Sequence, residues 1–387
     1  MKYILILPDG MADLPIKGLG GKTPLEYAHT PYMDYMSKNG IVGCVKTVPT
    51  GIKPGSDIAN MSILGVNPKK VKIGRGALEA LAMGLNDLED KIIFRANFVT
   101  IRNNIMEDYT GGGIKSKTGK KIINHLNKYF KNKGVRFVSG LDYRNIAIID
   151  KENIDVKTIP PHDILNKKIN NYLPKGKDSK FIIDIMNKTS ELIKNSNIKS
   201  NTNMIWLWGE GKINKGFSFE EKYGVKGAVI SAVDIIKGIA RYLGMDVIKV
   251  KRITGDIDTA YNNKAKAALK NLDKYDFIFV HIEAPDEAGH RGNPEEKVEA
   301  IEKIDKDIVG FILNNIKSDT KIILLPDHPT PCKLRTHTDK PVPFVIYNTN
   351  KNNKSKINKF SEKICLKRQN VIRAGYKFLE YIMKEKI

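Results

Sequence analysis

Short apolar runs alternate with longer amphipathic stretches at both ends of the chain, and the middle has a different texture. Residues 3–7 form a buried-strand pattern that ends in Asp9. A helical pattern follows over 24–38, a strand over 41–48, and then a Pro-Gly turn opening onto Ser56 and Asp57 with helical spacing behind them. The rhythm resumes at 228–231 (AVIS), with a helix over 232–243, a strand at 246–250 and a helix over 258–272. Strands at 276–282, 321–325 and 343–347 come next, with a helix over 294–316 before the second of them and a last helix over about 369–384. Apolar runs this short and β-branched suit strands covered on both faces. Their alternation with helices predicts an α/β fold with a mainly parallel sheet flanked by helices.

Between about 75 and 218, short strands such as FRANFVTI and RNIAIID alternate with Gly-, Asn- and Lys-rich turns and one helix near 178–195. The expected organisation is therefore a discontinuous domain, 1–74 with 219–387, carrying an inserted smaller α/β domain over 75–218. Polar stretches at 66–76 and 209–226 are the expected hinges, and KNNKSKINK near the end reads as a solvated loop.

Length supports this division, because 387 residues exceed what one core usually holds. No apolar run approaches the roughly 20 residues of a membrane helix. The N-terminal ILIL is too short for a signal core and is followed by Asp9. Three cysteines, Cys44, Cys332 and Cys365, lack paired spacing, which fits a reducing cytoplasm and unpaired thiols. The formal charge of +22 comes mostly from dispersed lysines, with no zinc finger, RNA-recognition signature or aromatic-interleaved basic cluster. The expected partner is a small anionic molecule, not nucleic acid or membrane, and the sequence leaves the oligomeric state open.

The chemistry gathers at strand ends. Asp327 and His328 lie just past one apolar run, and His337 follows beyond a loop stiffened by Pro329 and Pro331. Asp286 and His290 sit four apart after another, a spacing that lets both face one point. Taken singly, Asp9 could be a turn residue and Ser56 a helix cap. Together they form a constellation at carboxyl strand ends, where open α/β sheets bind ligands. Three carboxylates and three imidazoles exceed the needs of one ion and suit two adjacent divalent ions, Mn²⁺, Zn²⁺, Co²⁺ or Mg²⁺. Ser56, at a helix N-terminus beside them, would be a metal-activated nucleophile able to form a phosphoserine.

The segments LPDG, PGSDIANMSILG, APDEAGH and PDHPTP with HTDKPVPF resemble the alkaline phosphatase superfamily. Within it, together with IGRGALEALAMG, FRANFVTI, PPHDIL and MIWLWGEGK in the insert, the chain most resembles the archaeal-type cofactor-independent phosphoglycerate mutases. The resemblance covers nearly the whole chain. It implies an alkaline-phosphatase-like fold and interconversion of 3- and 2-phosphoglycerate in glycolysis and gluconeogenesis, with two metal ions and no 2,3-bisphosphoglycerate. It implies that one ion is held by Asp9, Ser56, Asp327 and His328, and the other by Asp286, His290 and His337. Lys237 would lie near the nucleophile. Arg75, Arg95 and Arg144 in the insert would grip phosphate and carboxylate, since guanidinium is a fork for both. His162 and Asp163 would be substrate contacts acting as an acid/base pair, with a helix cap as their alternative. Closure of the insert would exclude water, because water reaching a phosphoserine makes a phosphatase of a mutase. A metal-dependent phosphatase or another phosphotransferase of the superfamily is the alternative function.

Overall fold

The computed structural model describes all residues except 72, 86, 214–215, 352–354, 356, 368–369 and 385–387. The chain divides into two compact units, Met1–Val71 with Gly216–Ile387, and Lys72–Lys215. In chain order the strands are β1 (Lys2–Pro8), β2 (Ile41–Val45), β3 (Ile92–Arg102), β4 (Ile105–Asp108), β5 (Val135–Val138), β6 (Arg144–Ile149) and β7 (Met204–Lys212). They continue with β8 (Gly227–Ile230), β9 (Asp246–Val247), β10 (Phe277–Ile282), β11 (Thr320–Leu324), β12 (Val342–Asn348) and β13 (Val371–Ile372).

The discontinuous unit is built on one eight-stranded sheet, ordered β13-β2-β12-β11-β1-β10-β8-β9. All its pairings are parallel except those of β12, which runs antiparallel to both β11 and β2. Almost every residue of β1, β10 and β11 is buried, which explains their mostly apolar sequences. Helices such as Tyr261–Asn271 and Pro294–Ile304 contribute Ala265, Ala268, Ala300 and Ile301 to the same core as Ile4, Ile278 and Ile322. With β11, β1 and β10 adjacent and parallel, three carboxyl ends emerge side by side.

Several element boundaries differ from the sequence expectation for local reasons. The helix expected over 24–38 is two, Pro24–Tyr27 and Pro31–Asn39, since Pro31 can start a helix but not continue one. The second has no side-chain cap of its own, and Asp305 serves instead, accepting from the amides of Met33 (2.8 Å) and Tyr32 (3.3 Å). The expected helix over 294–316 is continuous but passes through a π-helical stretch, Asp305–Gly310. The C-terminal helix is only Phe378–Lys384; β13 and a 3-10 turn occupy 371–377, and the expected start at 369 lies outside the described residues. Of the solvated loop expected at 351–359, residues 352–354 and 356 lie outside them too, and Ile357 is buried in the core. Cys44 and Cys365 form a disulfide with Cα atoms 5.0 Å apart, contrary to the unpaired thiols expected. A separation of 321 residues leaves no spacing signal for such a bridge.

Burial lifts Asp305 above its ordinary 3.8 to about 6, against the pull of the Met33 and Tyr32 amides. A carboxyl whose pKa is raised on folding contributes stability that is complete below its unfolded pKa and is lost as pH rises through about 6. Asp305→Asn cannot ionise and keeps one acceptor oxygen for the Met33 amide, giving up the longer Tyr32 bond. It is expected to raise Tm by a few degrees at pH 8, with the advantage vanishing near pH 4. Melting curves across that range check it, and an advantage independent of pH would contradict it.

Unit Lys72–Lys215 contains the sheet β4-β3-β6-β5, with β7 pairing β3, and every pairing is antiparallel. Alternate residues of β3 and β6 serve two cores. Phe94, Phe98 and Ala147 meet the helices Ser116–Phe130 and Ser179–Lys194, while Ile93, Ile146 and Ile148 meet the helix Arg75–Ala82. No described helix in either unit is long and apolar enough to cross a membrane.

Candidate metal centre and nucleophile

Asp9 extends the ladder one step beyond β1, its amide bonding Ile282 O of β10 at 2.8 Å. Gly10 then turns with φ +61, and a Cβ there would lie 2.4 Å from Asp286 Oδ1. Only glycine allows the first strand to approach the third carboxylate so closely. Asp327 and His328 follow β11, and Asp286 and His290 lie on the helix Ala284–Arg291 that follows β10. Lys297, fully buried, bonds Asp13 Oδ2 (2.8 Å), Ala12 O and Thr330 O (2.9 Å), and so fastens the loop after β1 to the loop after β11.

Six of the expected ligands converge. His328 Nε2 lies 3.3 Å from Asp327 Oδ2 and 3.7 Å from Asp9 Oδ1. His290 Nε2 lies 3.2 Å from Asp286 Oδ2 and 2.8 Å from His337 Nε2, and His337 Nε2 is 3.6 Å from Asp286 Oδ1. Donor atoms of Asp9, Asp327 and His328 lie within 4.8 Å of one another, as do those of Asp286, His328 and His337. His328 therefore stands between the two groups.

Ser56 is the first residue of the helix Ser56–Ile63, whose cap position is Gly55 with no side-chain cap bond. Its hydroxyl is thus not engaged in capping and lies 3.2 Å from His328 Nε2. One turn on, Asn60 Nδ2 donates to Ser56 O (2.8 Å) and Asp327 Oδ2 (3.0 Å), locking the serine to the Asp327 side of the cluster.

The donor set fits divalent ions. Asp9 Oδ1 is buried without a hydrogen-bond partner, a costly arrangement unless a cation serves it. Burial raises Asp9 well above the usual carboxylate range, helped by the charges of Asp327, Asp286 and Glu283. Burial also works upward on Asp286, but hydrogen bonds with His290 and His337 outweigh it and hold the group low. His290 pairs Nδ1 with Arg335 O (3.1 Å) and His328 pairs Nδ1 with Thr330 Oγ1 (3.2 Å), whose own proton goes to Asp286 Oδ1. Both rings therefore carry their proton on Nδ1 when neutral and aim an Nε2 lone pair into the site, the arrangement of metal-ligating histidines.

Within unit Lys72–Lys215, the basic residues named from the sequence also gather. The β3–β7 register slips between Ile93 and Arg95, where Gly209 (φ +65) and Glu210 bulge. Thr158 bonds both sides of the bulge, at Gly209 N (3.0 Å) and the Glu210 carboxylate. Arg95 is left opposite Trp208, its guanidinium 4.3 Å from the indole centroid and its Nε 2.9 Å from Glu79. Burial pulls Arg95 below its usual value; Glu79 opposes this, and the Arg75 and Arg144 charges add to it. His162 packs edge-on against Trp208 and Tyr109; burial lowers its pKa, with Asp163 opposing and the Arg95 and Arg75 charges adding to the shift. His162 and Asp163 lie inside the 3-10 turn Pro161–Ile164 and neither caps it. Lys237 bonds locally, to Ala232 O (3.1 Å) and Asp234 Oδ1 (3.0 Å).

Residues 1–374 match the model of the metalloenzyme superfamily. The chain is 44% identical over 380 residues to the 2,3-bisphosphoglycerate-independent phosphoglycerate mutase of Methanosarcina barkeri, covering 95% of each. The chain belongs to this family of phosphoglycerate mutases. A second member, phosphoglycerate mutase 2 of Methanothermobacter thermautotrophicus, is 40% identical over 357 residues, 89% of this chain and 88% of its own. A solved structure of a Pyrococcus horikoshii protein superposes with a TM-score of 0.83 at 30% identity, covering 100% of this chain and 98% of that one. The cofactor-independent phosphoglycerate mutase of Thermoplasma acidophilum shares the fold, with a TM-score of 0.69 at 22% identity and 99% of both chains covered.

Sequence reading missed four residues of the site: Asn60, Thr330, Ser231 and His281. His281 is fully buried, bonding Asp9 Oδ2 at 3.0 Å and Ser231 Oγ at 3.3 Å. Its signal was present, an imidazole inside the apolar run FIFVHI, where no neutral core position calls for one.

Proposed function

We propose that this chain interconverts 3-phosphoglycerate and 2-phosphoglycerate, without added bisphosphoglycerate, through a phosphoserine on Ser56. The observation that carries the reading is the Ser56 hydroxyl, released from capping and held at the edge of a cluster of three buried carboxylates, buried His328 and half-buried His290 and His337. Asp9, Ser56, Asp327 and His328 would hold one divalent ion, and Asp286, His290 and His337 the other. Bound there, the ions would lower the pKa of the serine hydroxyl and neutralise the phosphoryl oxygens.

The residues then do the following work. Ser56 Oγ forms a bond to phosphorus as the bond to the 3-oxygen breaks, and the serine proton ends on that oxygen. Attack by the glycerate 2-hydroxyl reverses the exchange and frees Ser56. The helix N-terminus behind Ser56 favours the serine oxygen as an anion. Arg75, Arg95 and Arg144 are proposed to bind the substrate's phosphate and carboxylate, and His162 and Asp163 to contact its hydroxyl, while stacking on Trp208 with pairing to Glu79 would keep Arg95 in one pose.

The test is incubation of the Mn²⁺-loaded protein with 3-phosphoglycerate. The expected product is 2-phosphoglycerate, formed without a bisphosphoglycerate primer. Release of inorganic phosphate alone would replace this reading with a phosphatase.

A further inference from the structure

We infer that His281 is a positioning residue for Asp9: held in one tautomer by Ser231, it fixes the Asp9 carboxylate so that Oδ1 alone faces the Ser56-side ion. The inference rests on the reading of Asp9 as a ligand of that ion. It begins with strand order, since β8, β10 and β1 are consecutive neighbours and pair Ile230 with Val280 and Leu7 with His281. Ser231, His281 and Asp9 therefore stand in a row at three adjoining strand ends.

A fully buried imidazole must satisfy both nitrogens, and neutral histidine carries one N–H and one lone pair. Ser231 Oγ accepts the Val233 amide at 3.0 Å, and the nearer acceptor for its own O–H is His281 Nδ1 at 3.3 Å, with Val233 O farther off at 3.5 Å. The ring proton then sits on Nε2 and is donated to Asp9 Oδ2 at 3.0 Å. The opposite tautomer would set the Nε2 lone pair against a carboxylate lone pair at the same distance. Lys264, itself buried, bonds His281 O at 2.8 Å and steadies this strand end from behind. With Oδ2 engaged, Asp9 keeps one free oxygen, and Oδ1 is the buried atom without a hydrogen-bond partner, 3.7 Å from His328 Nε2. Without His281 the carboxylate could rotate or present both oxygens, and the ion would lose a ligand of fixed direction. A neighbour that orients a ligand in this way typically contributes 10- to 100-fold in metal affinity.

The experiment titrates Mn²⁺ into the metal-free full-length chain, with calorimetry for affinity and electron paramagnetic resonance to count bound ions. His281→Leu is expected to weaken one of the two sites by about 10- to 100-fold and leave the other unchanged. His281→Gln, whose amide reaches the same oxygen, is expected to restore most of that loss. Ser231→Ala is expected to weaken the same site by a smaller factor, and it carries the test should His281→Leu fail to fold. In the background of Asp9→Asn, His281→Leu is expected to add little, because both act through one carboxylate. Unchanged Mn²⁺ affinity in His281→Leu or, should that variant not fold, in Ser231→Ala overturns the inference, and so does a Gln variant as weak as Leu. If Asp9→Asn itself binds two ions as tightly as the unaltered chain, the ligand reading of Asp9 fails first.

Discussion

Ser56→Ala is expected to abolish the conversion of 3- to 2-phosphoglycerate, with turnover falling on the order of 10⁴-fold or more, as when a covalent nucleophile is removed from an otherwise intact site. Alanine cannot take the phosphoryl group, and no other described hydroxyl shares the place of Ser56 beside His328 Nε2. Thr330 is the nearest alternative, but its hydroxyl is engaged between Asp286 and His328. The substitution should not disturb the fold, since the hydroxyl caps nothing and Asn60 bonds the serine's carbonyl rather than its side chain. Incubation with phosphate-labelled substrate should label the unaltered chain transiently and leave the Ala variant unlabelled. Turnover within tenfold of the parent would sink the phosphoserine route.

Much of this centre was legible in the sequence because parallel sheets impose a simple geometry. A strand covered on both faces must be apolar along its length, so a carboxylate or imidazole just beyond it stands out, as at Asp9, Asp286 and Asp327. What stayed hidden had physical reasons. His281 carries a signal, an imidazole within an apolar strand, but it lies inside the run rather than just beyond it, where the ligating groups stand. Asn60 and Thr330 act through hydrogen bonds to the ligands, and such residues are common in any helix or loop. The break at Pro31 is readable, because a proline can start a helix but interrupts one already running. The Cys44–Cys365 bridge and the bulge at Gly209–Glu210 depend on partners far away in sequence, and neither leaves a local pattern. In unit Lys72–Lys215 the arginines could be named individually, yet the stacking of Arg95 on Trp208 arises from that bulge alone.

Asp286→Asn is expected to reduce the bound Mn²⁺ from two ions per chain to one and to lower turnover about 10³-fold, the equivalent of several kcal/mol of lost charge stabilisation at 1.36 kcal/mol per decade. Asp286 is the hub of its group. One oxygen faces His290 at 3.2 Å, and the other accepts from Thr330 and lies 3.6 Å from His337. An amide keeps the size and removes the charge, and its NH₂ must confront either the Thr330 hydroxyl or the His290 ring. Either orientation loosens a second ligand along with the first. The chain through Thr330 to His328 Nδ1 reaches the Ser56-side group, so a modest weakening of that site, by a few-fold, should accompany the loss. Metal analysis after dialysis separates the cases. One retained ion, with Ser56 slow to be phosphorylated, supports two functionally distinct sites. Two retained ions would remove Asp286 from the ligand set, and loss of both would mean that a single shared cluster, bridged by His328, replaces the pair.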